Sequence, residues 1–216
     1  SGVRHFLQCA EIMKEFPDIF AKGLLMVGFP NETIGQVLET VRLGVDMGLD
    51  WYTIQPLNFI PGVELTNHAL SAGQLTEEEM INGTERPFVG STGGQIRREA
   101  NERASADDFF NMLERDSSIV PNRGDIRDVW MIMDYKVNYE KIWALESSTK
   151  LRMLNRLFVN MCDHTHTNNA LGNLYFALIE NKLGNKEEAR RRLNLSRRFA
   201  ESSEYWKIRF EALDLH

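Results

Sequence analysis

Two stretches decide the fold: Gly23-Leu-Leu-Met-Val-Gly-Phe-Pro-Asn-Glu-Thr33 and Trp51-Tyr-Thr-Ile-Gln-Pro-Leu-Asn-Phe-Ile-Pro-Gly-Val-Glu-Leu65. In the first, the apolar run 24–27 breaks at Gly28 and Pro30; the second ends in a Pro-Gly turn. Apolar runs bounded by glycine and proline are typical of buried strands. Two strands joined through one helix form a βαβ unit. The sequence therefore predicts a parallel pair of strands that is covered on both faces.

The segment between the strands has the pattern of an amphipathic helix. Thr33 is predicted to cap it, with Gln36 in the capping-box position. Val37, Leu38 and Val41 are expected to be buried. They belong to a set of five apolar residues on one helical face: Ile34, Val37, Leu38, Val41 and Val45. Gly44 and Gly48 are expected to weaken the far end of this helix.

Composition narrows the class of protein. The chain has 216 residues, is 43% hydrophobic and carries a formal charge of −6, which suits one or two globular domains and argues against a general nucleic-acid binder. It has no apolar run of about 18 residues, so we expect no membrane span. Cys9 and Cys162 are far apart and form no disulfide framework, which predicts a reducing, cytoplasmic location.

Three segments are predicted along the chain. Residues 1–82 contain the βαβ unit, residues 83–125 form an irregular connector, and residues 126–216 form a helical domain. Within the last segment, helices over 169–183 and 186–200 flank Gly184 and resemble a tetratricopeptide-like hairpin. An ordinary helical cap is the simpler interpretation, because a solenoid of this kind needs about three repeats.

Three pieces in order, Leu25–Thr33, Met47–Trp51 and Ile54–Gly62, resemble the radical S-adenosylmethionine (radical SAM) superfamily. They are similar to its fifth strand, fifth helix and sixth strand, and the resemblance covers about residues 1–72. One departure is Asn31, where many members have glycine. Asparagine tolerates the left-handed conformation better than most residues, so the turn is expected to survive.

The resemblance implies an α/β fold: an incomplete parallel (β/α) barrel fragment followed by a mostly α-helical carboxy-terminal region. It also implies the carboxy-terminal portion of an enzyme that reductively cleaves S-adenosylmethionine (SAM) at a [4Fe-4S] cluster to start radical chemistry on an unknown substrate. The family's C-x-x-x-C-x-x-C cluster loop is absent from this sequence, so we expect this chain alone to be inactive. Cobalamin is a further candidate cofactor, because the helical tail is similar to that of members with a cobalamin-binding domain. The implied partners are a small-molecule substrate and a reductant protein.

The resemblance also implies the site residues. Two groups of residues match cofactor-binding positions at the carboxyl ends of the strands: Val27, Gly28 and Pro30, and then Ile54, Gln55 and Pro56. Asn58 lies just beyond and is predicted to face substrate. Gln55 is polar within an apolar strand and needs a hydrogen-bonding partner. Glu32 is interpreted as a first-turn acid that favours the helix dipole, in preference to an acceptor for loop N–H groups.

Other functions remain open. One is a non-catalytic, helical-repeat-like protein-interaction module built on the tail. Another is a different α/β enzyme whose Gly28 turn binds phosphate at a helix start, although no phosphate-loop pattern is present. No metal site is predicted, since Cys162 and His166 have no further ligand pair nearby. Arg190-Arg-Arg192 could bind phosphate, but a solvated face salt-bridged to the nearby acids Glu180, Glu187 and Glu188 is the preferred interpretation.

Overall fold

The computed structural model describes residues 2–57, 59–73, 75–78, 80, 116–121, 123–165 and 168–215. The protein is mostly helical (66%) and contains a small two-stranded parallel sheet. In the first part, the elements are α1 (Val3–Lys14), β1 (Lys22–Val27), α2 (Ile34–Met47), β2 (Trp51–Pro56) and α3 (Glu64–Ser71). Within the described residues, none of the helices is both long and apolar enough to cross a membrane.

The second part of the chain is a succession of helices. Its α-helices are α4 (Arg123–Asp134), α5 (Ser148–Val159), α6 (Ala170–Lys182), α7 (Lys186–Glu201) and α8 (Glu204–Ala212). Between α4 and α5 lie a π-helical turn, Tyr135–Tyr139, and a 3-10 turn, Glu140–Ala144. A second π-helical turn, Asn160–Thr165, extends α5. The helical chain over residues 123–144 is therefore divided into α, π and 3-10 segments. Most of the predicted connector 83–125 lies outside the described residues.

The predicted βαβ unit is confirmed. β1 and β2 pair in parallel, with Leu25 opposite Ile54 and Val27 opposite Pro56, and α2 is the crossover helix. The predicted capping box is also present. The N–H of Gln36 donates to Thr33 Oγ1 at 3.3 Å, and the Thr33 N–H donates to Gln36 Oε1 at 2.9 Å. These reciprocal bonds satisfy two N–H groups at the start of α2.

The apolar face of α2 is only partly as predicted. Val37 is fully buried as predicted, whereas Leu38 and Val41 are only half-buried against the core. Val45, at the far end of the same face, is 53% exposed. Gly44 does not mark a weak helix end. An added Cβ there would meet Val137 Cγ1 at 3.0 Å, and the Gly44 carbonyl accepts a hydrogen bond from the Tyr52 hydroxyl at 2.7 Å. A side chain at this residue would crowd Val137, because α2 approaches its neighbours closely here.

The prediction that both sheet faces are covered is wrong for β1. Its side chains alternate between the two faces, as in any strand. Leu25 and Val27 face α2, whereas Leu24 and Met26 are 72% and 40% exposed on the opposite face. In the part of the chain that the structure describes, helices cover one face of the strand. The sequence did not show which face of β1 is exposed, because the residues on both faces are hydrophobic.

The outer edge of β2 is closed by side chains from the tail. The amide of fully buried Asn138 accepts from the Tyr52 N–H at 2.6 Å and donates to the Tyr52 carbonyl at 2.8 Å. Trp130 Nε1 donates to the Ile54 carbonyl at 2.8 Å. Buried backbone groups at a sheet edge need such partners. The tail thus completes the hydrogen bonding of β2 without adding a strand.

The sheet and the tail share one hydrophobic core. Trp51 at the start of β2 makes edge-to-face contacts with Tyr139 and Phe158, at centroid distances of 5.5 and 5.6 Å. The buried cluster runs from Ala10 in α1 to Ile208 in α8. The division into three segments stays a prediction, but the βαβ unit and the helical tail do not have separate cores.

The predicted helical hairpin is formed by α6 and α7, which pack along each other. Gly184, at a φ of 88°, lies in the turn between them, and Ser196 Oγ donates to the Ala170 carbonyl at 2.8 Å. Buried Arg192 donates to both carboxylate oxygens of Asp163 at 2.7 Å and to Glu188 Oε1 at 2.7 Å. The expected salt bridge to Glu188 is confirmed, but the predicted solvated position is wrong for Arg192, which is buried. The tetratricopeptide-like character of the hairpin stays a prediction.

Candidate functional site

The structure brings the predicted cofactor residues together at the carboxyl ends of β1 and β2. Val27 and Pro56 are register partners, as are Met26 and Gln55, and Gly28 continues directly from Val27. Gly28 has a φ of 91°, and the predicted left-handed conformation of Asn31 is confirmed by its φ of 61°. The chain therefore turns sharply away from the sheet and leaves both strand ends side by side. Ligands of parallel sheets bind in this position.

The predicted residues differ in what their side chains can contact. Val27 and Ile54 are buried and belong to the hydrophobic core, so their side chains are not available to a ligand. Pro30, Gln55 and Pro56 are half-buried. A ligand at the strand ends would therefore meet the backbone of Val27 and Ile54 and the side chains of the half-buried residues.

Gln55 is a polar side chain on the open face of the sheet, next to the carboxyl end of β2. The structure records no hydrogen bond to its amide from any of the described residues, whereas the sequence argument required a partner. Its cross-strand neighbour Met26 is exposed on the same face. Met26 was missed as a site residue because the apolar run of β1 hid the alternation. Together the two side chains offer an apolar surface next to an amide that can donate and accept hydrogen bonds.

Glu32 holds the turn together, and its interpretation as a simple first-turn acid is wrong. Its Oε2 atom accepts from the Gly28 N–H at 2.6 Å and from the Phe29 N–H at 3.2 Å. Burial raises the pKa of this carboxyl group above its usual value, and the two N–H bonds act in the opposite direction. The role set aside in the sequence argument, as an acceptor for loop N–H groups, is the one observed.

The start of α2 is occupied by protein groups. The N–H of Ile34 donates to the Ile119 carbonyl at 2.8 Å, and the N–H of Gly35 donates to the Ser117 carbonyl at 2.9 Å. Together with the capping box and Glu32, these contacts use the N–H groups that a phosphate would need at a helix start. The geometry therefore disfavours the phosphate-binding interpretation of the Gly28 turn.

The remaining candidate residues do not form a site within the described part of the chain. Asn58 and His166 lie outside the described residues. Cys162 is buried, and burial raises the pKa of its thiol to about 12, so it is mostly protonated at neutral pH. Cys9 is exposed on α1. Across the described ranges, no group of three or more His, Cys, Asp and Glu side chains is placed to hold a metal ion.

The chain has no match among known protein-family models, curated proteins or solved structures.

Proposed function

We propose that this chain is the carboxy-terminal portion of a radical SAM enzyme. The reaction class is reductive cleavage of SAM to start radical chemistry on a small-molecule substrate. The proposal rests on the resemblance of residues 1–72 and on one structural observation. This observation is the pair of open parallel strand ends beside the Gly28–Asn31 turn, with the amide of Gln55 free of protein hydrogen bonds in the described residues.

The residues at the strand ends fit the adenosyl part of SAM. An adenine ring needs a flat apolar surface and a few hydrogen-bonding groups at its edge. Met26 and Pro30 supply accessible apolar surface, and Gln55 supplies an amide. Glu32 fixes the turn by holding the Gly28 and Phe29 N–H groups, so the turn is shaped before a ligand binds. In this proposal the chain orients the adenosyl group and forms part of the substrate wall.

The iron–sulfur cluster of the family does not fit this chain. A [4Fe-4S] cluster of this type is held by at least three cysteine thiolates, and this sequence has two cysteines, one exposed and one buried in the tail. We therefore assign no catalytic step to residues of this chain. The cluster, the reductant protein, a cobalamin cofactor and a cytoplasmic location are proposals about the whole enzyme.

SAM binding by the whole polypeptide that carries these residues tests the proposal. Gln55→Ala should weaken SAM binding about fivefold, the effect of losing one hydrogen bond of about 1 kcal/mol, and should leave the melting curve unchanged. Gln8→Ala is the matched control, because Gln8 is exposed on α1 and belongs to neither strand. Unchanged SAM affinity in both Gln55→Ala and Gly28→Val, with folding intact, would place the cofactor on other residues.

A second measurement tests what the chain does alone. After anaerobic reconstitution with iron and sulfide, it should show no brown cluster absorption and should not cleave SAM. One cluster bound per chain would contradict the proposal that the cluster is held by residues outside this chain.

A further inference from the structure

A groove on the helical face of the molecule, away from the open face of the sheet, has no assigned role. It lies between α1, α2 and the turn after β1 and encloses about 670 Å³. Its floor is apolar, with Leu7, Pro30 and Leu43, and two further apolar side chains at its rim, Val3 and Phe29, are 58% and 39% exposed. A groove that exposes apolar side chains between polar ones can accept the apolar stripe of an amphipathic helix.

The length of the groove matches a helical segment. The residues that α2 contributes run from Gln36 to Asp46 and recur every three or four positions, so they form one strip along the helix. Eleven residues of helix span about 16 Å at about 1.5 Å per residue. A partner helix of about three turns would fill this length with apolar anchors spaced three, four and seven residues apart.

The charged side chains around the groove indicate the charge of the partner. Glu39 and Asp46 are exposed on the α2 side, two turns apart, and neither forms an ion pair with another described residue. Arg42 is the cation among the residues that line the groove. The excess of acid favours a partner with lysine or arginine beside its apolar stripe and disfavours an acidic one.

We propose that this groove docks an amphipathic helix with a basic polar face, supplied by a partner polypeptide. The docked helix would lie against Phe29 and Pro30. Both belong to the turn that Glu32 holds in place beside the strand ends. Docking would therefore contact the turn beside the strand ends, including Pro30, which the groove shares with the candidate cofactor site.

The test uses three labelled peptides and the full chain without SAM, so it is independent of the proposed function. The first is an 18-residue peptide of leucine and lysine with leucines at helical spacing. The second has the same composition in strict alternation, and the third has glutamate in place of lysine. Fluorescence anisotropy should show binding of the first peptide, weakened by added salt. The other two should bind at least tenfold more weakly.

Substitutions locate the binding surface. Val3→Asp and the double variant Glu39→Lys/Asp46→Lys should each weaken binding of the first peptide at least tenfold. Two matched controls should leave binding unchanged. Val45→Asp changes an exposed valine on α2 outside the groove, and Glu187→Lys changes an exposed acid on α7. Since every substituted residue is exposed, the variants should keep the native melting curve.

Three results would overturn the proposal. Equal binding of the alternating or acidic peptide would show that the contact is not specific to a basic helix. Equal binding by both groove variants would place the contact elsewhere. A concentration-dependent dimer that Val3→Asp dissociates would show that a second copy of this chain covers the groove.

Discussion

Replacing Asn138 with alanine is expected to destabilise the protein because it uncaps the edge of β2. The Asn138 amide satisfies both the N–H and the carbonyl of Tyr52 and also donates to Asp134 Oδ1 at 2.7 Å. Leaving one buried backbone group unsatisfied costs about 1–3 kcal/mol, so two groups give about 2–6 kcal/mol. Water can enter the space that the smaller side chain leaves, which favours the lower half of that range. Urea denaturation followed by circular dichroism measures the change in the free energy of unfolding.

Two further variants separate hydrogen bonding from packing at Asn138. Asn138→Leu fills the space with a slightly larger side chain but restores neither hydrogen bond to Tyr52, so it should be at least as destabilising as the alanine variant. Asn194→Ala removes an exposed amide on α7 and should change the free energy of unfolding by less than about 0.5 kcal/mol. Native stability in Asn138→Leu, or a loss below about 1 kcal/mol in Asn138→Ala, would refute the argument, because the cost of uncapping Tyr52 would then be absent.

Gly28→Ala should lower the free energy of unfolding by about 1–3 kcal/mol, since a side chain at a φ of 91° is strained and its Cβ would lie 3.3 Å from Ile126 Cγ2; equal urea midpoints for the variant and the native chain would contradict this. The carboxyl group of Asp134 is enclosed although the residue as a whole is half-buried, and burial raises its pKa to about 7. The stability that protonated Asp134 contributes is therefore present at pH 4 and lost as the pH rises to about 7, at up to about 1.4 kcal/mol per pH unit. Asp134→Asn should remove most of this slope in urea titrations between pH 5.5 and 7.5, and an unchanged slope would assign it to other groups. Arg192→Ala should cost about 2–4 kcal/mol, less than for a fully buried ion pair because Asp163 is partly exposed. Hydrogen bonds from Arg192 lower the pKa of Asp163. As the pH falls below about 4, the free energy of unfolding should therefore decrease more in the native protein than in Arg192→Ala. Parallel acid titrations of the two proteins would argue against this coupling.

Much of the candidate site could be predicted from short stretches of sequence. The Gly28 break, the left-handed Asn31 and the capping box of Thr33 and Gln36 all depend on residues within a few positions of one another. Local sterics and local hydrogen bonds fix these features, and the structure has each of them as predicted. The parallel pairing of β1 and β2 follows from the length of the helical connection between them.

What the sequence by itself determined is therefore the βαβ unit, its turn and the two helices that flank Gly184. Only the tertiary structure decided which surfaces are covered. Leu24 and Met26 have the same apolar character as Leu25 and Val27, yet no described element packs over them. Asn138 closes the edge of β2 from 86 residues away, positioned by a π-helical turn that hydrophobic periodicity does not reveal. The physical reason is that burial and edge capping depend on residues distant in the chain, whereas turns and caps depend on neighbours.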